Sequence, residues 1–384
     1  MDSYNQTLTQ KIKQALIDNV PNIKTPCYVF DASIVKERFL SMKASLGTDL
    51  ICSIKANPNN HLLAFSHDVV THKEIASLKE LSLVVSDAGV IYANNPSMSD
   101  VFMRSAVAAK ARLVIDSLEQ LEMVEKYATT KAPEPLMLRL NPCVLVSFAP
   151  NFNVRLDHFG MDLDTAMQAI DLIKNSEYLS LAGFHLFVGS YSFKKSSLKV
   201  AEAAPQILSM FETRYGSPMQ HINLGGGFSE YWPEDDEELQ TYKNALLGIP
   251  SHVNILHESG RGIYASCGAF LTTVVRHKTI SGKHYAVCDG GLNQNFLLGQ
   301  TENRFASPKV PVVIRHTSCD ESSDAVKTVL VGSTCSKDDV IGQFEGPPLA
   351  VGDQCLFLNC GAYNSTYTVS NFLGLQEPEF YVFP

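Results

Sequence analysis

The chain has 384 residues, of which 45% are hydrophobic and 18% charged, and a formal net charge of −9. That is long enough for two domains, too apolar for a disordered chain and without the basic surplus of a nucleic-acid surface. Nine scattered cysteines in no paired or zinc-ligand spacing suit a reducing compartment rather than a disulfide framework, and a polar start with no long apolar run predicts a cytoplasmic protein with no membrane span.

In chain order, Leu8, Ile12, Leu16 and Val20 recur every four residues, which predicts an amphipathic helix over 7–20. Cys27–Phe30 reads as a short strand. From Asp49 onward apolar runs alternate with helical stretches. Strands are predicted at Leu50–Ile54, Leu83–Val85, Leu113–Ile115, Leu136–Leu140, Leu181–Val188, His221–Leu224 and Val253–Leu256. Helices fall at Leu118–Tyr127, opened by Ser117 and Gln120 in capping-box spacing, at Leu163–Ile173 and at Leu198–Phe211. This alternation implies a parallel sheet, either closed as a (β/α)₈ barrel or open and doubly wound. Beyond Ala265 the texture changes to short strands (Thr272–Val275, Tyr285–Val287, Val312–Ile314, Thr328–Val331, Gln354–Leu358, Glu379–Phe383) between turns. The reading is a barrel over 33–264 and a β-rich domain formed by 1–32 with 265–384.

Several residues have the chemistry of a site. Lys55, in Ser53-Ile54-Lys55-Ala56-Asn57, follows an apolar strand. An amine buried at the C-terminal mouth of a barrel becomes a nucleophile fit for Schiff-base chemistry, whereas a solvated lysine at a strand end leaves the same local pattern. Gly225-Gly226-Gly227 follows another strand and can cradle a phosphate or simply make a tight turn. Glu258-Ser259-Gly260-Arg261 offers an acid for a ring nitrogen and a guanidinium for a phosphate, or a local ion pair. His185 and Phe187 place rings on one strand face, for a planar cofactor or for the core. Cys335 and Tyr363, in the β-rich region, read as a proton donor and a phosphate ligand, or as core residues. Lys55, Arg139, His185, Gly225 and Glu258 all sit at or just past the ends of different predicted strands, which favours one shared site.

In their order along the chain, Tyr28-Val29-Phe30-Asp31, the Lys55 string, Arg139-Leu140-Asn141-Pro142, Phe159-Gly160, Asn223-Leu224-Gly225-Gly226-Gly227-Phe228, Glu258-Ser259-Gly260-Arg261, Gly332-Ser333-Thr334-Cys335 and Gly361-Ala362-Tyr363 resemble the fold-type III decarboxylases dependent on pyridoxal 5′-phosphate, the group of the diaminopimelate and ornithine decarboxylases. The resemblance runs from about Thr25 to Gly374. It implies an alanine-racemase-like barrel and a cofactor joined to Lys55. Glu258 would lie at the pyridine nitrogen and Arg139 near the ring oxygen. His185 and Phe187 would lie by the ring, with Gly225, Gly226, Gly227, Gly260, Arg261 and Tyr363 on the phosphate. It also implies a homodimer with shared active sites, in which the partner's loop brings Cys335 to protonate the carbanion left by decarboxylation.

Three departures bear on substrate. Phe187 stands where those enzymes have a second histidine, Ser336 where an acid follows the motif cysteine, and Asp157-His158-Phe159-Gly160 where Ser-Lys-Phe-Gly is usual. Without the acid the pocket lacks its usual partner for a distal ammonium, unless Asp338 or Asp339 replaces it. The chain therefore resembles the citrate-siderophore branch most, and the expected substrate is a citryl-amino-acid conjugate of diaminopropionate or serine. Ser336, Asp339, Arg304 and Lys337 are the candidate substrate contacts. Decarboxylation of free diaminopimelate, ornithine or lysine is the alternative, and racemisation a further one. No metal is expected, because the histidines match no ligand spacing.

Overall fold

The computed structural model describes residues 3–17, 23–85, 89–128, 133–149, 151–154, 156–232, 236–299, 309–315 and 324–384. The chain divides into two compact units, residues 36–262 and residues 1–35 with 263–384. The first strand, β1 (Cys27–Asp31), belongs to the second unit. The next eight build the first unit: β2 (Asp49–Ser53), β3 (His72–Ile75), β4 (Val90–Asn94), β5 (Arg112–Ile115), β6 (Leu136–Leu140), β7 (Leu181–Leu186), β8 (His221–Asn223) and β9 (Asn254–Ser259). Each pairs in parallel with the next, and β9 returns to β2 from Asp49↔Leu256 to Cys52↔Ser259, so the barrel is closed and the open alternative is excluded.

The predicted capping box is present. The Ser117 hydroxyl accepts the Gln120 N–H at 3.3 Å, and Gln120 Oε1 accepts the Asp116 N–H at 2.9 Å. The first bond satisfies an amide that the first turn of Leu118–Ala128 leaves unpaired, and the second reaches back to the residue before the cap, a device worth about 1 kcal/mol.

One predicted strand is wrong. Leu83–Val85 closes a helix, Leu78–Val84, capped by the Ser77 hydroxyl on the Glu80 N–H at 3.2 Å, with Leu81 and Val84 buried three residues apart. The real neighbouring strands are β3 and β4. The β3 sequence, His72-Lys73-Glu74-Ile75, hides its character because it buries a lysine and a glutamate.

The barrel interior is layered by the two-residue period of its strands. Ile51, Tyr92, Val114, Met137, Ala182 and Leu256 form an apolar plug, each large member contributing roughly 1.5–3 kcal/mol by leaving water. Two residues further along the same strands, one layer nearer the C-terminal mouth, come Ser53, Asn94, Asp116, Arg139 and Glu258. In β7 the phase differs: the β6–β7 register slips between Leu136↔Leu181 and Met137↔Gly183, so Ala182 lies in the plug while His185 pairs with Arg139 in the polar layer.

The second unit contains β10 (Gly268–Ile280), β11 (Lys283–Cys288), β12 (Val312–Ile314), β13 (Val326–Val331), β14 (Val340–Gly346), β15 (Gln354–Phe357) and β16 (Glu379–Phe383). Their spatial order is β12-β15-β10-β11-β13-β14, with β1 joining β10 and β16. β14 was not anticipated, since two glycines and two polar residues blur its alternation. The N-terminal helix, Ser3–Ile17, begins earlier than predicted and buries Leu8 and Ile12 with Leu16 half-buried, while Val20 lies outside the described residues. No helix among the described residues is long and apolar enough to cross a membrane.

Candidate active site

The polar layer at the barrel mouth is a connected set of charges. Lys55 leaves β2 in a short 3₁₀ turn, Ile54–Ala56, and its Nζ donates to both carboxylate oxygens of Glu74 at 2.8 Å. The expected burial of this amine is corrected: the Lys55 side chain is 43% exposed, while Glu74 is 1% exposed. Lys55 is held by an ion pair, which favours its charged form, rather than stripped of water. Glu74 was missed because β3 was missed.

Glu258 is the centre of a second group. Asn223 Nδ2 donates to its Oε1 at 2.8 Å, and His185 Nε2 lies 3.2 Å from the same oxygen. The His185 contact is electrostatic, since neither ring nitrogen has an aligned hydrogen-bond partner among the described residues, although the ring is buried. Burial pushes the Glu258 carboxyl up, but His185, the Lys55 ammonium and the Asn223 amide outweigh it and hold the carboxyl below the usual carboxylate range. The carboxylate is therefore an anion across the ordinary pH range.

Asn223 also ties Glu258 to the glycine turn. Its Oδ1 accepts the Gly225 N–H at 2.9 Å, and the Glu258 N–H donates to the Gly225 carbonyl at 2.8 Å. A Cβ on Gly226 would come 2.0 Å from the Glu258 carbonyl oxygen, and one on Gly225 would meet the Phe187 ring at 3.1 Å. Gly225 and Gly226 are thus demanded by the close passage of the end of β7, Phe187 and β9, whatever the turn also binds. Phe187 lies one residue past β7, half-buried, rather than on the strand face beside His185.

Arg139 donates from Nη1 to Asp116 Oδ2 at 3.1 Å and to Asn94 Oδ1 at 3.2 Å, and its guanidinium lies 4.4 Å from the Phe159 ring centroid. Asp116 Oδ2 also accepts the Gly160 N–H at 3.1 Å, which links the Phe159-Gly160 turn to the end of β5. Arg261 stacks over the Tyr191 ring at 4.5 Å, and Gly260 is buried beside it. His257 points away from this set: it contacts Thr48 Oγ1 at 2.8 Å and Tyr242 Oη at 2.5 Å, and burial pushes its ring down to about 3.

In the second unit Cys335 is the one exposed thiol among the described residues. The turn that carries it is built on Asp339, which is 2% exposed. Asp339 Oδ1 accepts the Leu292 N–H at 2.7 Å and Oδ2 the Thr334 N–H at 2.9 Å. A Cβ on Gly332 would come 2.3 Å from Oδ1, so the Gly332-Ser333-Thr334-Cys335 motif needs its glycine to close on this carboxylate. Asp339, a candidate substrate contact, thus spends one oxygen on Leu292 and the other on its own turn. Ser336 donates its N–H to Thr334 Oγ1 at 3.2 Å and accepts the Asp338 N–H on Oγ at 3.2 Å. Tyr363 is half-buried at φ +67°. Arg304 lies outside the described residues.

The family described as "Pyridoxal-dependent decarboxylase, pyridoxal binding domain" matches residues 32–265. Diaminopimelate decarboxylase of Aquifex aeolicus is similar, at 25% identity covering 94% of this chain and 89% of that one. So is 2-[(L-alanin-3-ylcarbamoyl)methyl]-2-hydroxybutanedioate decarboxylase of Staphylococcus aureus, at 24% identity covering 96% and 97%. Among solved structures, diaminopimelate decarboxylase of Helicobacter pylori complexed with L-lysine superposes with a TM-score of 0.81 at 21% identity, covering 97% of this chain and 94% of that one.

Proposed function

Because the chain belongs to the pyridoxal-dependent decarboxylases, we propose that it removes the α-carboxylate from an amino acid already joined to citrate, as citryl-diaminopropionate or citryl-serine, in siderophore biosynthesis. The family makes it a lyase that uses pyridoxal 5′-phosphate and acts on an amino-acid substrate, and its architecture is the alanine-racemase-like one.

The barrel mouth fits the cofactor. It offers an amine at a strand end and a side-chain-free glycine turn. It also holds a buried, ionised carboxylate whose Oε2 accepts no hydrogen bond from a described residue, beside a buried imidazole with an unpartnered Nδ1. In this reading Lys55 would hold the cofactor through its aldehyde, and Arg139, His185 and Phe187 would bind its ring. Gly225, Gly226, Gly227, Gly260, Arg261 and Tyr363 take the phosphate.

When bound, the cofactor supplies an electron sink for the pair released as CO₂ leaves. Glu258, fixed by Asn223 and kept ionised, would favour a protonated pyridine nitrogen. Glu74 would hold the Lys55 ammonium at the mouth whenever that amine is free. Cys335 would supply the proton that replaces the lost carboxylate, from the loop of a partner subunit in a homodimer.

The observation that carries the substrate reading is the fate of Asp339. With Ser336 in place of an acid and Asp339 consumed by backbone amides, the turn beside Cys335 lacks those two anions for a distal ammonium. The staphylococcal relative, whose named substrate bears a hydroxybutanedioate group, supports the same direction. Asp338, exposed on that turn, favours the second reading, a free diamino acid such as diaminopimelate, ornithine or lysine.

CO₂ release from citryl-diaminopropionate should exceed that from ornithine, lysine and diaminopimelate, and faster turnover of a free diamino acid would overturn the assignment. Borohydride reduction of the holoenzyme followed by peptide mapping should label Lys55, and a label elsewhere would remove the proposed mechanism.

A further inference from the structure

One face of the β-rich sheet is set apart from the rest. Across β10, β11, β13 and β14 the directly opposed pairs are Lys278↔Tyr285, Ile280↔Lys283, Tyr285↔Val329, Val287↔Val331 and Val329↔Gln343. Opposed residues share a face, so these side chains form one patch. The residues between them, Ala286 and Leu330, are fully buried on the other side. The patch is the floor of a groove of about 600 Å³, within the size range of small-molecule sites. The Cys335 turn supplies its wall through Ser333, Thr334, Ser336 and Lys337.

The charge of this groove runs against that of the molecule. In a chain of net charge −9, three lysines line it: Lys278, Lys283 and Lys337. None of the three makes an ion pair or side-chain hydrogen bond with a described residue. Some surface lysines elsewhere do, as Lys36 with Asp68 at 2.9 Å and Lys43 with Asp49 at 2.8 Å show. The one acidic residue in the lining is Asp339, whose two oxygens are already taken by the Leu292 and Thr334 amides. The buried Ser333 Oγ, also in the lining, has no hydrogen-bond partner among the described residues. Apolar valines at the centre and unpaired ammonium groups around them suit a compact carbon skeleton bearing several carboxylates. Two or three anionic groups can each meet a separate ammonium, with hydroxyls to receive the remaining polar atoms.

We infer that this groove is a binding site for a small organic polycarboxylate. That chemistry has two sources, a free polycarboxylate or the carboxylate-bearing end of the enzyme's own substrate. Only the second rests on the conjugate reading above.

The test uses the holoenzyme and isothermal titration with citrate, with trimethyl citrate as the uncharged control. Citrate should bind saturably, trimethyl citrate should not, and added NaCl should weaken the binding. The combined variant Lys278→Gln, Lys283→Gln, Lys337→Gln changes three solvent-facing side chains. It should raise the citrate Kd by roughly tenfold or more, as expected for lost charged hydrogen bonds. If citrate also competes with the conjugate, and the variant raises its KM while keeping kcat, the occupant is the substrate's own end. If citrate binds and weakens in the variant without touching KM, the occupant is a free polycarboxylate. Either result supports the site. Absence of saturable citrate binding, or equal affinity in the triple variant, overturns it. Because citrate binding is read without turnover, an enzyme that ignores the conjugate yet binds citrate through these lysines refutes the substrate reading alone.

Discussion

Lys55 and Glu74 show how one residue's environment sets its chemistry. A buried lysine would lose its proton to desolvation, but this one reaches half into solvent and rests on a buried carboxylate. Exposure limits what the pair gives to stability, so its role is reactivity. Glu74→Gln should leave the melting temperature nearly unchanged and speed condensation of the apo chain with pyridoxal phosphate at neutral pH, measured by the rise of visible absorbance. A slower condensation would show that Glu74 positions the amine more than it holds its charge. Arg139 and Asp116 differ, since both side chains are about nine-tenths buried. Removing Asp116 leaves a guanidinium without its anion, so Asp116→Ala should cost about 3–5 kcal/mol in denaturant unfolding. A loss below 1 kcal/mol would mean that water reaches Arg139.

At the scale of an element, the period of a barrel strand converts a fold into a site. The plug residue at position i and the polar residue at i+2 share an inward face, so strands that close the barrel floor also present their chemistry at the mouth. β9 shows the division within three residues: Leu256 seals, His257 faces the helices and Glu258 enters the site. Burial depresses the His257 ring to about 3 and that of His221 to about 4. Their unfolded forms therefore bind protons that the folded forms refuse, between about pH 6.5 and those values. The stability they contribute is complete above pH 6.5 and falls as the pH drops through that window. His257→Gln should flatten the fall by as much as about 1.4 kcal/mol per pH unit, read from urea midpoints at pH 7, 6 and 5. An unchanged slope would exclude His257 as its source. The Asp339 turn is the counterpart in the β-rich unit. Asp339→Ala removes the acceptor for two backbone amides, so it should change the rate of Cys335 alkylation at least severalfold while leaving far-ultraviolet circular dichroism intact.

For the whole molecule, two units of different architecture come from a chain that leaves the β-rich unit after residue 35 and re-enters it at 263. If the Cys335 loop of one subunit serves the barrel of the other, Lys55→Ala and Cys335→Ala subunits, each impaired alone, should regain activity on mixing. Random dimers restore one good site in half the population, so recovery should reach up to about a quarter of the wild-type rate. No recovery after subunit exchange, shown by mass spectrometry, would place both residues in one subunit's site.

The alternating apolar runs and the glycine, lysine and glutamate motifs were legible from the chain alone, because strand period and turn chemistry are local properties. Lys55, Arg139, His185 and Glu258 could be placed at strand ends for that reason. The ion pair with Glu74 could not, since it joins residues on neighbouring strands and one of those strands is too polar to look like one. Nor could the use of Asp339, which depends on amides from residue 292 as well as its own turn. Sequence by itself determined which elements form and which chemical groups they carry. Tertiary structure decided which charge each group meets, because pairing and burial are set by residues distant in the chain that only a closed barrel or a folded turn brings within hydrogen-bond reach.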